Sequence, residues 1–175
     1  MNAWLQQIHA WHEFYLLVGT SVAALTGLMF VVVSIGPEVI IGRPTGGVRA
    51  FVTPTVVYFT TVLVVSAVML MPHVGPVVLG VLLLLGGVAG LAYIYWIGTY
   101  RQWRESDELK WDDLVWYVAL PVLGYVLVLA AGIGMWMRAA FGPFTLGAAT
   151  ILLMIVGIRN AWDLVLWFAQ KRGSQ

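Results

Sequence analysis

Few residues of this chain could hold or transform a ligand, so their types and spacing are weighed first. His9, His12 and Glu13 stand near the start, with His9 and Glu13 one helical turn apart and His12 beside them. His73 completes the histidines. Four of the seven methionines form two Met-x-Met pairs, Met69 with Met71 and Met135 with Met137. Thioether sulfur is soft and uncharged and suits Cu(I), and imidazole accepts either copper state. A hard cation would ask for more carboxylates than Glu13 provides. These eight residues are therefore a candidate soft-metal set, with copper ahead of zinc and haem third as cofactor. Their spacing describes no closed ligand set of known geometry, and methionine is also an ordinary apolar filler at helix ends.

The remaining chemistry-bearing groups are Arg159, Asn160 and Asp163, which interrupt an otherwise apolar segment, and Glu38. Arg159 and Asp163 can form an i, i+4 ion pair, and the four residues together form a candidate cytoplasmic-side polar cluster. The competing reading is that Arg159 snorkels to the headgroups and the pair merely finishes a helix. Other patterns fail on context. His9-Ala-Trp-His12-Glu13 lacks the His-Glu-x-x-His spacing of a zincin, Gly86-Gly87-Val-Ala-Gly90 sits inside an apolar run no nucleotide could reach, and no Gly-x-Ser-x-Gly occurs. Cysteine is absent, which removes thiolate metal sites and a cysteine nucleophile. No catalytic constellation remains, and an enzyme is not expected.

The elements that must position these groups are set by composition. Hydrophobic residues make up 61% of the chain and charged residues 10%, where a soluble domain carries roughly 25% charged. The apolar residues fall in runs long enough to cross about 30 Å of hydrocarbon as helices. Five spans are expected, near 14–36, 51–71, 77–98, 114–137 and 144–168, in one integral membrane domain covering 1–175. The fold class is therefore an all-α polytopic bundle. The last span reads as one tilted helix, with a break near Arg159 as the alternative. The first lacks a basic flank and a small-residue cleavage site, so it is expected to stay in the mature protein.

Scattered Lys and Arg and a net charge of +1 give no nucleic-acid surface. Their distribution does give a topology. Arg43, Arg49, Arg101, Arg104, Lys110, Lys171 and Arg172 fall on one side and Arg138 on the other, so the N-terminus is expected outside and the C-terminus in the cytoplasm. Interfacial aromatics agree, with Trp96, Trp103, Trp111 and Trp116 near the inner face and Trp4, Trp11 and Trp136 near the outer. The 101–113 connection is expected to be solvated and partly helical.

Two further patterns concern assembly. Pro121 follows Pro54 by about 67 positions, and the same offset carries Gly75-Pro76 onto Gly142-Pro143, Leu79-Gly80 onto Leu146-Gly147 and Gly90 onto Gly157. A duplicated helix hairpin, spans two and three repeated as four and five, would produce this, and so would chance among abundant Gly and Leu. The first span carries Gly19, Thr20, Ala23, Gly27 and Ser34 at helical spacing, closing on Glu38. In lipid such small residues mark close backbone approach, either inside one subunit or between copies around a narrow pore. Thr53, Thr60 and Thr61 could line a pore equally well, or bond back to their own helix.

Trp11-His12-Glu13-Phe14-Tyr15, with Gly19 to Phe30 reading G-T-S-V-A-A-L-T-G-L-M-F, resembles a group of small, uncharacterised bacterial multispan membrane proteins. The resemblance covers about the first fifth of the chain. It implies a bacterial inner membrane and supplies no activity. Together these features describe an oligomeric channel, a small transport subunit or a membrane scaffold. The alternative is an outer-face copper- or haem-binding membrane protein, and the expected partners are the lipid bilayer and further copies of the chain.

Overall fold

The structure is a computed structural model that describes residues 3–35, 46–100 and 114–172. Glu38, Arg43 and the 101–113 connection lie outside these. Every regular element among the described residues is helical: α1 (Ala3–Ala10), α2 (His12–Ile35), α3 (Gly46–Leu70), α4 (Pro76–Tyr100), α5 (Leu120–Trp136) and α6 (Phe141–Arg172). A π turn, Val115–Ala119, runs straight into α5. Five segments are long and apolar enough to cross a membrane, His12–Ser34, Thr53–Leu70, Pro76–Ile97, Val115–Trp136 and Phe141–Leu166, and each overlies an expected span. Helices are the open-chain solution here, because lipid offers no partner for an unpaired backbone group.

Side-chain hydroxyls obey the same constraint. Thr20, Ser21, Thr26, Ser34, Thr61 and Thr145 each donate to the carbonyl four residues earlier, at 2.7–3.0 Å. Pro54 lies inside α3 and Pro121 in the first turn of α5, and both are buried. The Pro121 ring would press on the carbonyl four residues back, and the wider π turn immediately before it gives the room. The last span is one helix that passes through Arg159 without a break, which settles the alternative raised by its polar turn.

Packing does not follow chain order. α2 packs on α3, α3 on α6, α6 on α5, and α5 on α4, whereas α3 and α4 touch little although a short turn joins them. Close approach depends on glycine. A Cβ at Gly80 of α4 would come within 2.8 Å of the Gly132 carbonyl oxygen of α5, and one at Gly124 of α5 within 2.7 Å of Leu153 of α6. Leu16, Leu17, Leu28 and Phe30 of α2 are exposed, as suits a helix that meets lipid or another apolar surface. The 67-residue offset pairs residues that are buried alike, Leu79 with Leu146 and Gly90 with Gly157, yet the two hairpins close differently: α5 and α6 are tightly packed, α3 and α4 are not. α1 ends at Ala10 and α2 begins at His12, so the single helical face expected to carry His9, His12 and Glu13 is broken at Trp11.

Candidate functional site

α1 and α2 meet at a turn on Trp11, whose amide donates to the Ile8 carbonyl at 3.0 Å. The indole is wedged in place. It meets Phe144 edge-on at 4.9 Å and Phe14 at 5.3 Å, and a Cβ at Gly147 would come within 2.8 Å of it. Gln7 also donates its amide to the Ala140 carbonyl at 3.1 Å, which ties α1 to the α5–α6 turn. These contacts anchor the corner on α6. The corner presents the His9 and His12 rings side by side, 6.3 Å apart and 27° from parallel.

The second half of the site is the reversal after α3. The chain leaves the helix at Leu70, turns through Met71, Pro72 and His73, and enters α4 at Pro76. His73 has φ of 61°, a left-handed conformation uncommon outside glycine. Arg138 has φ of 57° in the other hairpin turn, so the conformation belongs to these reversals and is no sign of function on its own.

The two halves come together. His9, His12, Met69, Met71 and His73 line one pocket of about 140 Å³, walled also by Trp4 and Ile8. The structure thus gathers all three histidines and one Met-x-Met pair. It leaves out the rest of the candidate set: Glu13 is exposed and does not line the pocket, Met135 is fully buried in the core, and Met137 is exposed. The three histidines and Met71 are exposed, whereas Met69 is buried. Among the described residues no three His, Asp or Glu side chains converge closely enough to hold an ion by themselves. Imidazole lone pairs lie in the ring plane, so near-parallel rings with centroids 6.3 Å apart would have to rotate to share an ion. The Met71 thioether lines the same pocket.

A second cluster lies along α6, away from the hairpin turns. Arg159 Nε is 3.4 Å from Asp163 Oδ2, and the same carboxylate oxygen accepts the Tyr117 hydroxyl at 2.7 Å. The Arg159 guanidinium sits 5.6 Å from the centre of the Trp116 ring. Trp116 and Tyr117 both come from the π turn, so that turn docks α5 onto the polar face of α6. Asn160, between the charged pair, is 1% exposed, and its side-chain carbonyl oxygen has no hydrogen-bond partner among the described residues. Sequence reasoning placed Arg159, Asn160 and Asp163 together but read Trp116 only as an interfacial aromatic and overlooked Tyr117. The signal available was Pro121, which forces irregular backbone just where those two residues stand. Glu38, the fourth expected member, lies outside the described residues.

The small-residue stripe divides. Gly19 packs on α3, where a Cβ would come within 2.9 Å of Ser66 Cβ. Thr20, Ala23, Gly27 and Ser34 are exposed, and a Cβ at Gly27 would meet nothing within 4 Å. The Thr20 and Ser34 hydroxyls are returned to their own helix. Comparison with models of protein families, with curated proteins and with solved structures finds no match to any of them.

Proposed function

We propose that this integral membrane protein binds a soft metal ion, Cu(I) before any other, in the pocket between the α1–α2 corner and the α3–α4 turn. The reading rests on one observation: five potential donors from two segments far apart in the chain line a single small pocket. Neutral imidazole and thioether favour Cu(I), while a pocket without a carboxylate is a poor host for Mg²⁺ or Ca²⁺. The distribution of Lys and Arg supports an outward-facing pocket, and the resemblance of the first span to small bacterial multispan proteins supports an inner membrane. No catalytic step belongs to this reading; the protein holds or hands on the ion. Titration of purified, metal-free protein with Cu(I) under reducing conditions tests it. Submicromolar binding, lost in the His12→Ala, His73→Ala double variant and weakened in Met71→Leu, is the expected result. Binding no tighter than that of detergent, or indifferent to these substitutions, refutes it.

A second reading, an oligomeric channel, small transport subunit or scaffold, is favoured by the outward-facing part of the α2 stripe. Thr20, Ala23, Gly27 and Ser34 are exposed among the described residues, which suits contact with another copy in the bilayer. Native mass spectrometry from detergent reads the stoichiometry directly. A monomer under all conditions removes this reading.

A further inference from the structure

The open seam between α3 and α4 is a cleft of about 390 Å³, within the size range of ligand pockets. Its walls are Val57, Thr60 and Val64 of α3 facing Leu82, Gly86 and Ala89 of α4, and its floor is Tyr125 and Val128 of α5. It follows α3 from Val56 to Val68, about 18 Å at 1.5 Å per residue. One leaflet of a bilayer, half of a hydrocarbon core about 30 Å thick, is about 15 Å deep. The cleft is centred on the middle of the Thr53–Leu70 and Pro76–Ile97 spans, so it lies at the depth where acyl-chain ends of the two leaflets meet.

We infer that this cleft is a binding site for one acyl chain of a membrane phospholipid, held between consecutive helices that do not pack on each other. The chemistry of the occupant is given by the other hairpin. In the α5–α6 seam the Leu153 side chain lies against Gly124 and closes the gap. At the same 67-residue offset the α3–α4 seam has Val57 for Gly124 and Gly86 for Leu153, and a Cβ at Gly86 would meet nothing within 4 Å. The group missing from the open seam is thus aliphatic.

The Thr61 and Tyr125 hydroxyls agree with an apolar occupant. Thr61 gives its only hydroxyl proton to the Val57 carbonyl at 2.9 Å, so in the 3.0 Å contact between Thr61 and Tyr125 the tyrosine is the donor. Both protons are committed within the protein, and this pair offers no free donor that would ask for a polar ligand. α4 cannot close the seam by turning, because its adjoining face is locked on α5. Gly80 abuts the Gly132 backbone, and any Cβ at Gly90 would overlap the Tyr125 ring.

The test uses the full chain in nanodiscs of phosphatidylcholine containing a fraction of phosphatidylcholine with a diazirine on its acyl chain. After irradiation, adducts are mapped by mass spectrometry. Residues Thr60, Val64, Gly86 and Ala89 should label severalfold more than Leu16, Leu17 and Phe30 of α2, which face lipid without a concavity. Gly86→Leu should bring cleft labelling down to the α2 level and leave α2 unchanged. Ala89→Leu serves the same purpose if the first variant does not fold, and the wild-type ratio decides alone if neither does. Cleft labelling no higher than on α2, labelling that survives in a folded filled variant, or a cross-link from the cleft to a second copy of the chain would each overturn the inference. None of these outcomes depends on the histidine and methionine pocket.

Discussion

The hydrogen bond from Tyr117 to Asp163 should be the main energetic link between the π turn and α6, and a double-mutant cycle can measure it. At 2.7 Å onto a carboxylate the bond is short. Charge-assisted bonds of this kind contribute about 1.5–3 kcal/mol in soluble proteins. Interhelical hydrogen bonds inside membranes average only about 0.6 kcal/mol, with about 1.7 as the largest. Asp163 is 21% exposed, so it is neither fully desolvated nor fully hydrated. A coupling of about 1.5 kcal/mol is expected, a roughly tenfold change in the unfolding constant. The Arg159 side chain is 51% exposed and its pair with Asp163 spans one turn of a single helix, so that coupling should stay below about 1 kcal/mol. The variants are Tyr117→Phe, Asp163→Ala, Arg159→Ala and the two doubles, unfolded by SDS titration in mixed micelles with tryptophan fluorescence as the signal. A Tyr117–Asp163 coupling under about 0.3 kcal/mol, within the additivity error of independent sites, would refute the reasoning. So would an Arg159–Asp163 coupling larger than the tyrosine's.

Other expectations can be checked with the same preparation. Met137→Leu should leave Cu(I) affinity at the wild-type value while Met71→Leu lowers it, because only Met71 lines the pocket. Gly90→Ala should destabilise by roughly 1–3 kcal/mol through overlap with the Tyr125 ring, while Gly86→Ala should stay within about 0.5 kcal/mol; thermal melts compare them. Ser66 is 2% exposed with its hydroxyl unpartnered among the described residues, so Ser66→Ala should be neutral or raise the melting temperature. Reporter fusions after Gln175 and at Arg104 should read cytoplasm and one at His73 should read outside. A cytoplasmic His73 would invert the proposed topology.

Five spans were legible in the sequence to within a few residues because the physics behind them is local. An unpaired charge or an open backbone group is costly in hydrocarbon wherever it sits, so each span announces itself by length and composition alone. The polar turn of α6 was legible for the same reason. Which helices touch was not, because the spans are apolar on every side and lipid removes the contrast that tells a buried face from an outer one in water. Contact is written instead in single small residues. Gly19, Gly27 and Gly86 look alike in the sequence, yet one abuts α3, one faces outward and one borders a cleft. The histidines and methionines followed the same division. Their chemistry could be named from residue type, but that Met69 and Met71 join His9, His12 and His73 while Met135 and Met137 do not depended on where the Trp11 wedge anchors the α1–α2 corner, a choice made by packing across chain-distant helices.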